Sequence, residues 1–96
     1  MTYYKMSDYS LVKYQKSNTK GKKYDAVIRN RKTGRTITIS FGASDYEHYK
    51  DSTGKGLWSH KDHGDSKRRK SYRARHKVYL RDGYYSAGWF SYYKLW

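Results

Sequence analysis

The chain contains no cysteine, and its aliphatic residues are few: three Val, three Ile and four Leu in 96 positions. The first absence excludes disulfides and thiolate metal sites, so nothing points to an oxidising compartment. The second means that any core must be built from rings. No apolar run approaches the roughly 20 residues that cross a bilayer, so no membrane span is expected. The opening Met1-Thr2-Tyr3-Tyr4-Lys5 lacks the apolar region of a signal peptide. The expectation is a protein acting inside a cell or inside a particle assembled there. Acids are scarce too. Asp8, Asp25, Asp45, Glu47, Asp51, Asp62, Asp65 and Asp82 face 22 Lys and Arg, which leaves a formal net charge of +14.

Such a field repels itself in the compact state and is relieved by a negative partner. Nucleic acid is the commonest such partner, DNA ahead of RNA, with an acidic protein surface or an anionic membrane next. Low hydropathy with high net charge would suit a disordered chain. Thirteen Tyr, three Trp and two Phe argue for folding, because each ring buries a large area while Tyr and Trp keep a polar handle. The length is that of one domain, 1–96, with 1–22 also readable as an extended arm. A marginal fold would gain stability from whatever binds only its folded state.

Periodicity predicts an α+β class: a small antiparallel sheet packed with two or three short helices. In the first 22 residues, Tyr9, Leu11 and Lys13 alternate with Ser10, Val12 and Tyr14, as in an N-terminal edge strand. Tyr24, Ala26 and Ile28 alternate with polar neighbours, Asn30-Arg31-Lys32-Thr33-Gly34 turns the chain, and Ile37, Ile39 and Phe41 alternate on the way back. That pattern is a hairpin over about 24–41. Ser44-Asp45-Tyr46-Glu47 reads as a capping box opening a helix from about Asp45 to Asp51. Residues 52–64 form a loop pinned by Leu57-Trp58. Asp65 or Ser66 caps a helix over about 66–80, with Tyr72, His76 and Tyr79 as its inward stripe. A last segment opens at Ser86-Ala87-Gly88 and places Trp89, Phe90, Tyr93 and Trp96 at helical spacing. There is no internal repeat and no proline.

The strongest functional candidate is the cation run on the predicted helix: Lys67, Arg68, Arg69, Lys70, Arg73, Arg75, Lys77 and Arg81, with no acid among them. Each phosphate contact by such a residue releases condensed counterions, so affinity should fall steeply with salt. A solvated helix or a localisation signal at Lys67-Arg68-Arg69-Lys70 is the bland alternative. Arg29, Arg31, Lys32 and Arg35 put a second cationic cluster on the hairpin tip, able to probe a groove or simply to be solvated. Tyr beside Lys or Arg, as in Tyr3-Tyr4-Lys5, suits base stacking, although most tyrosines are needed for the core. Trp89, Phe90, Tyr93 and Trp96 make a tail apolar enough to dock on the sheet or on a partner. His60-x-x-His63, with Asp62 and Asp65, is a weak metal or nuclease signal without a third ligand at fixed spacing, so neither metal nor cofactor is expected.

Three pieces carry a family resemblance. They are Ser40-Phe41-Gly42-Ala43, then Arg68-Arg69-Lys70-Ser71-Tyr72-Arg73-Ala74-Arg75-His76-Lys77, and Ser86-Ala87-Gly88-Trp89-Phe90-Ser91 leading to Leu95-Trp96. With His60-Lys61-Asp62 between them, residues 24–96 resemble the short basic proteins of nucleocytoplasmic large DNA viruses, with Ser52 to Ser59 as an insertion. The resemblance implies a viral setting: a virion component, made in host cytoplasm or nucleus, present in several copies. Two readings lead. One is a non-enzymatic protein binding nucleic acid non-specifically through residues 67–81 and the hairpin tip. The other is a minor capsid protein bridging acidic viral structural proteins. A metal-dependent nuclease using His60 and His63 stands third.

Overall fold

Strand β3 (Lys22–Asn30) organises the molecule, because β2 (Tyr9–Lys16) and β4 (Thr36–Ala43) pair with it on either side. The computed structural model describes residues 3–96; Met1 and Thr2 of the expected N-terminal arm lie outside the described residues. Both pairings are antiparallel. Tyr24 stands opposite Phe41, Ala26 opposite Ile39 and Ile28 opposite Ile37, so the alternating apolar residues of the hairpin share one face. The turn between them is fixed by Asn30, whose side-chain oxygen accepts from the Lys32 and Thr33 amides. Gly34 supplies the positive φ (74°) that closes it.

The N-terminal segment is a paired strand, with one irregularity that the alternation does not reveal. The register shifts between Leu11 and Lys13, a bulge at Val12. An extra residue flips the side-chain phase, so Tyr9 and Tyr14, which simple alternation puts on opposite faces, both pack on the core. Before it, β1 (Tyr4–Lys5) pairs with β5 (Tyr84–Tyr85) in a second, two-stranded sheet that joins the two halves of the chain.

Among the described residues two α-helices form, each opened by a side-chain cap. Asp65 accepts from the Lys67 and Arg68 amides and starts α1 (Ser66–His76). A single 3-10 turn, Lys77–Tyr79, then replaces the rest of the helix expected to reach Leu80. Ser86 caps α2 (Ala87–Lys94) through the Trp89 amide. Helix α2 lies on the sheet, and Phe90 and Leu95 close the core over Tyr24, Ala26, Ile28, Ile39 and Phe41. Rings dominate it. Phe41 stacks between Tyr24 (6.0 Å) and Phe90 (5.4 Å), with Tyr14 edge-on to both phenylalanines. Such pairs each add about 0.5–1.5 kcal/mol beyond area burial, which offsets the shortage of aliphatics.

The helix expected from Asp45 to Asp51 is not formed. Residues 44–46 turn, and the chain then runs extended between two neighbours. On one side the His48 amide donates to the Lys61 carbonyl, and the His63 amide donates to the His48 carbonyl. On the other, the Lys50 and Ser52 amides donate to the carbonyls of Leu95 and Lys94. Glu47, the expected return partner of the capping box, pairs with Arg68 at 3.2 Å instead. Long-range backbone pairing thus outweighs a local capping signal. The 52–64 loop is pinned as its sequence predicts by Trp58, whose indole donates to the Lys23 carbonyl at 3.0 Å. Leu57 contributes only its amide, to the Tyr24 hydroxyl.

Candidate nucleic-acid interface

Helical periodicity divides the cations of α1 between two faces. Arg69, Tyr72, Arg73 and His76 recur at three- and four-residue steps and turn toward α2 and Trp96. Arg69 Nε donates to the Trp96 carbonyl oxygen at 2.8 Å and Arg73 Nε donates to the same oxygen at 3.2 Å. Each guanidinium also lies over a ring, Arg69 over Tyr49 at 4.9 Å and Arg73 over Tyr92 at 4.5 Å. These two arginines, expected to meet a polyanion, are already engaged inside the protein. The ring faces and the Trp96 carbonyl together make that arrangement favourable for a charged group.

Of the predicted inward stripe, Tyr72 is held most tightly. It stacks between His76 at 4.0 Å and Trp96 at 4.2 Å, nearly parallel to the indole. Burial raises the Tyr72 pKa and lowers that of His76, with Arg75 adding to the latter. Tyr79 is 54% exposed; what the fold uses is its carbonyl, which accepts from the Tyr3 hydroxyl.

The neighbouring face of α1 forms one wall of a groove of about 1000 Å³. Lys67, Arg68, Ser71, Tyr72, Arg75 and Tyr79 line that wall. Lys23, Gly42, Ala43, Tyr46 and Glu47 line the opposite one, and Leu95 and Trp96 lie between them. Four cations therefore meet a single acid, Glu47, which is already paired with Arg68. Gly42 is essential to the shape. Its φ is +78°, and a Cβ there would come within 2.7 Å of Leu95 Cδ1.

The remaining predicted residues lie elsewhere. Lys70 and Lys77 are exposed and do not line the groove. Arg81 caps the Tyr84 ring at 4.6 Å. Arg29, Arg31, Lys32 and Arg35 are exposed at the hairpin tip, at the other end of β4 from Gly42 and Ala43. At ~3.3 Å per residue, the two ends of that strand are roughly 23 Å apart, so the tip and the groove are separate cationic regions. The apolar tail is largely internal. Phe90 is fully buried, Trp89 packs against Tyr85 and Phe90, and Trp96 stacks on Tyr72. Phe90 is therefore closed to a partner, since the tail docks on its own sheet; Tyr93, at 47% exposure, is the tail residue left most open.

No protein family, curated protein or solved structure matches the chain.

The histidines do not converge. His60 stacks on Trp58, whereas His63 turns toward Trp96 and Tyr49 and accepts the Asp65 amide proton at Nδ1. Among the described residues, no three His, Asp or Glu side chains come together as a metal site. A different constellation is present that the sequence pattern does not announce. Lys23 and His48, both buried, form a line with the exposed Asp62: Lys23 Nζ is 2.8 Å from His48 Nδ1, and His48 Nε2 is 2.5 Å from Asp62 Oδ1. Beside it, Asp51 accepts from the Tyr24 hydroxyl and from Thr53. Burial works to raise the Asp51 pKa, but those hydrogen bonds hold it below the usual carboxylate range.

Proposed function

We propose that this is a non-enzymatic, virion-associated protein that binds nucleic acid without sequence preference, DNA ahead of RNA, along the groove beside α1. The observation that carries the reading is the lining of that groove, four cations and one acid interleaved with Tyr46, Tyr72, Tyr79 and Trp96. Cations at such spacing meet successive phosphates, while ring edges and faces offer stacking to any base. A strand with unpaired bases suits it best, because paired bases hide their faces. The viral setting comes from the resemblance of residues 24–96 and gives the binding its purpose, holding genome within a particle.

The test is fluorescence anisotropy on a random single-stranded oligonucleotide across a salt series. With Arg69 and Arg73 engaged internally and Lys23 buried, about three phosphates are contacted in the groove, and log K should fall with log salt at a slope of roughly −2. A flat salt response, or no binding in dilute buffer, defeats the reading.

The separation of the hairpin tip from the groove favours a second reading, a minor capsid protein bridging two acidic protein surfaces. It predicts weak oligonucleotide binding, with retention of the protein in capsid shells stripped of genome.

A further inference from the structure

Polyanion binding leaves the Lys23 cluster without a role. Lysines almost always keep the ammonium in water, yet Lys23 is 1% exposed. Its Nζ lies 2.6 Å from the Tyr46 carbonyl oxygen and 2.8 Å from His48 Nδ1. His48 is itself fully buried, and its Nε2 meets Asp62, whose same oxygen accepts from the Asp51 amide at 2.8 Å. These contacts fix the imidazole tautomer. A carboxylate only accepts, so Nε2 carries the proton and Nδ1 turns its lone pair toward Lys23. The result is a nucleophile beside a base, with the base oriented by a third group.

The amine is suited to that part. Burial first, then repulsion from Lys61, lowers the Lys23 pKa to about 8 against the attraction of Asp51 and Asp62. His48 is likewise held below its ordinary value by burial and by Lys23, which outweigh Asp62. A neutral Lys23 has two N–H bonds, which satisfy the Tyr46 carbonyl and His48, and one lone pair left over. Lys23 also lines the groove. The Tyr46 carbonyl that holds its amine belongs to the 44–46 turn, which is part of no helix and whose Tyr46 side chain is 71% exposed. Reaction requires the Tyr46 carbonyl to swing aside so that Nζ faces the groove.

A neutral amine of this kind reacts with a carbonyl. A nucleic-acid strand offers one at an abasic position, where the opened deoxyribose presents an aldehyde at C1′ and no base obstructs entry. We propose that Lys23, with His48 and Asp62, is a reactive-amine site that captures the aldehyde of an abasic sugar in a groove-bound strand as a reversible imine. The proposal rests on the binding reading for delivery of the strand, but not for the reactivity of the amine. The Lys23 lone pair forms a bond to C1′, and the proton lost from nitrogen passes through His48 Nδ1 to the former carbonyl oxygen. A second nitrogen proton follows the same route, the hydroxyl leaves as water, and C=N remains. Amine plus aldehyde gives imine plus one water with no change of oxidation state, and hydrolysis reverses it.

The experiment incubates the full chain at low salt with an oligonucleotide carrying one abasic site, reduces with borohydride, and maps the adduct by peptide mass spectrometry. Adduct should concentrate on Lys23, and its yield should rise with pH about a midpoint near 8. Adduct spread over the exposed lysines, with Lys23 unmodified, overturns the proposal. Wild-type mapping needs no variant to fold. His48→Gln adds a second readout: trapping at pH 7 should slow by roughly a hundredfold while binding of an undamaged strand is kept. An unchanged rate removes His48 from the site. A parallel arm uses glyceraldehyde 3-phosphate without nucleic acid. Labelling of Lys23 there, with no binding of the undamaged strand, keeps the amine site and defeats the binding reading. Tight binding of the strand with Lys23 inert to both aldehydes does the reverse.

Discussion

Lys67 and Arg69 stand two residues apart on α1, carry the same charge at neutral pH and meet opposite surroundings. Lys67 borders an open groove rich in cations, whereas Arg69 lies over the Tyr49 ring with its Nε on the Trp96 carbonyl. The same contrast separates Arg75 from Arg73 four residues on. Net charge of +14 therefore overstates the field available to a partner. In a chain short of aliphatics, a guanidinium can join ring packing, because it is planar, weakly hydrated and able to donate in its plane while stacking on a face. Both inward positions are arginine. An ammonium cannot make the same two contacts at once.

The largest effect should come from testing that inner face. Arg69→Ala with Arg73→Ala removes three charge-assisted hydrogen bonds and two ring contacts, for a loss of about 3 kcal/mol in urea unfolding. The paired Lys substitutions should recover little of it, which distinguishes guanidinium packing from simple charge. Equal stability of the Lys and Arg proteins would erase the distinction drawn here. Next in size is the opposite wall. Gly42→Ala puts a Cβ against Leu95 Cδ1 at a φ that disfavours side chains, and about 2 kcal/mol of stability should be lost. Affinity of the remaining folded protein should fall too, since Gly42 shapes the groove.

How far the sequence foretold this arrangement differs by feature. The hairpin was legible because alternation of Tyr24, Ala26 and Ile28 with their partners is local, and Asn30 and Gly34 announce the turn. The bulge at Val12 was not, because an extra residue leaves the composition of a strand unchanged. Ser44 and Glu47 predicted a helix from local chemistry alone, and the backbone of His48 found better partners in Lys61 and His63. The two-residue pairing of Tyr4–Lys5 with Tyr84–Tyr85 is too short to leave a pattern. For the site, the cation run on α1 was plain. Which of its members turn inward depends on where Trp96, Tyr92 and Tyr49 arrive, and that is a property of the tertiary fold. Lys23, His48 and Asp62 come from separate elements with no characteristic spacing. A lysine between buried strand residues was their one trace.

Titration offers a smaller effect that separates buried from open groups. His48, His63 and His76 all have pKa values lowered, chiefly by burial. The unfolded chain thus binds protons near pH 6.5 that the folded chain refuses, so stability should fall as pH drops below that value. Lys23 works in the same direction at higher pH. Its folded pKa of about 8 lies below the unfolded 10.5, so stability should rise as pH increases from 8 toward 10. Tyr14, pushed up to about 12 by burial and then Tyr85, reverses the trend above pH 10. Thermal unfolding across pH 5 to 11 should trace this dome, and His48→Gln should flatten its acid limb.

The smallest change in stability should accompany the most informative change in binding. Lys67 and Arg75 line the groove, and among the described residues their side chains make no hydrogen bond or ion pair. Replacing both with alanine should alter unfolding free energy by no more than about 0.5 kcal/mol, as for surface positions away from packing features. If each meets a phosphate, the salt slope for a single strand should shrink by roughly 1.4, since each contact contributes about 0.7. The inner pair should show the opposite pattern, with stability lost and slope kept. A slope insensitive to Lys67 and Arg75 but reduced by changes at Arg31 and Lys32 would move the interface to the hairpin tip. It would also leave the groove, with its rings and its buried amine, to some other ligand.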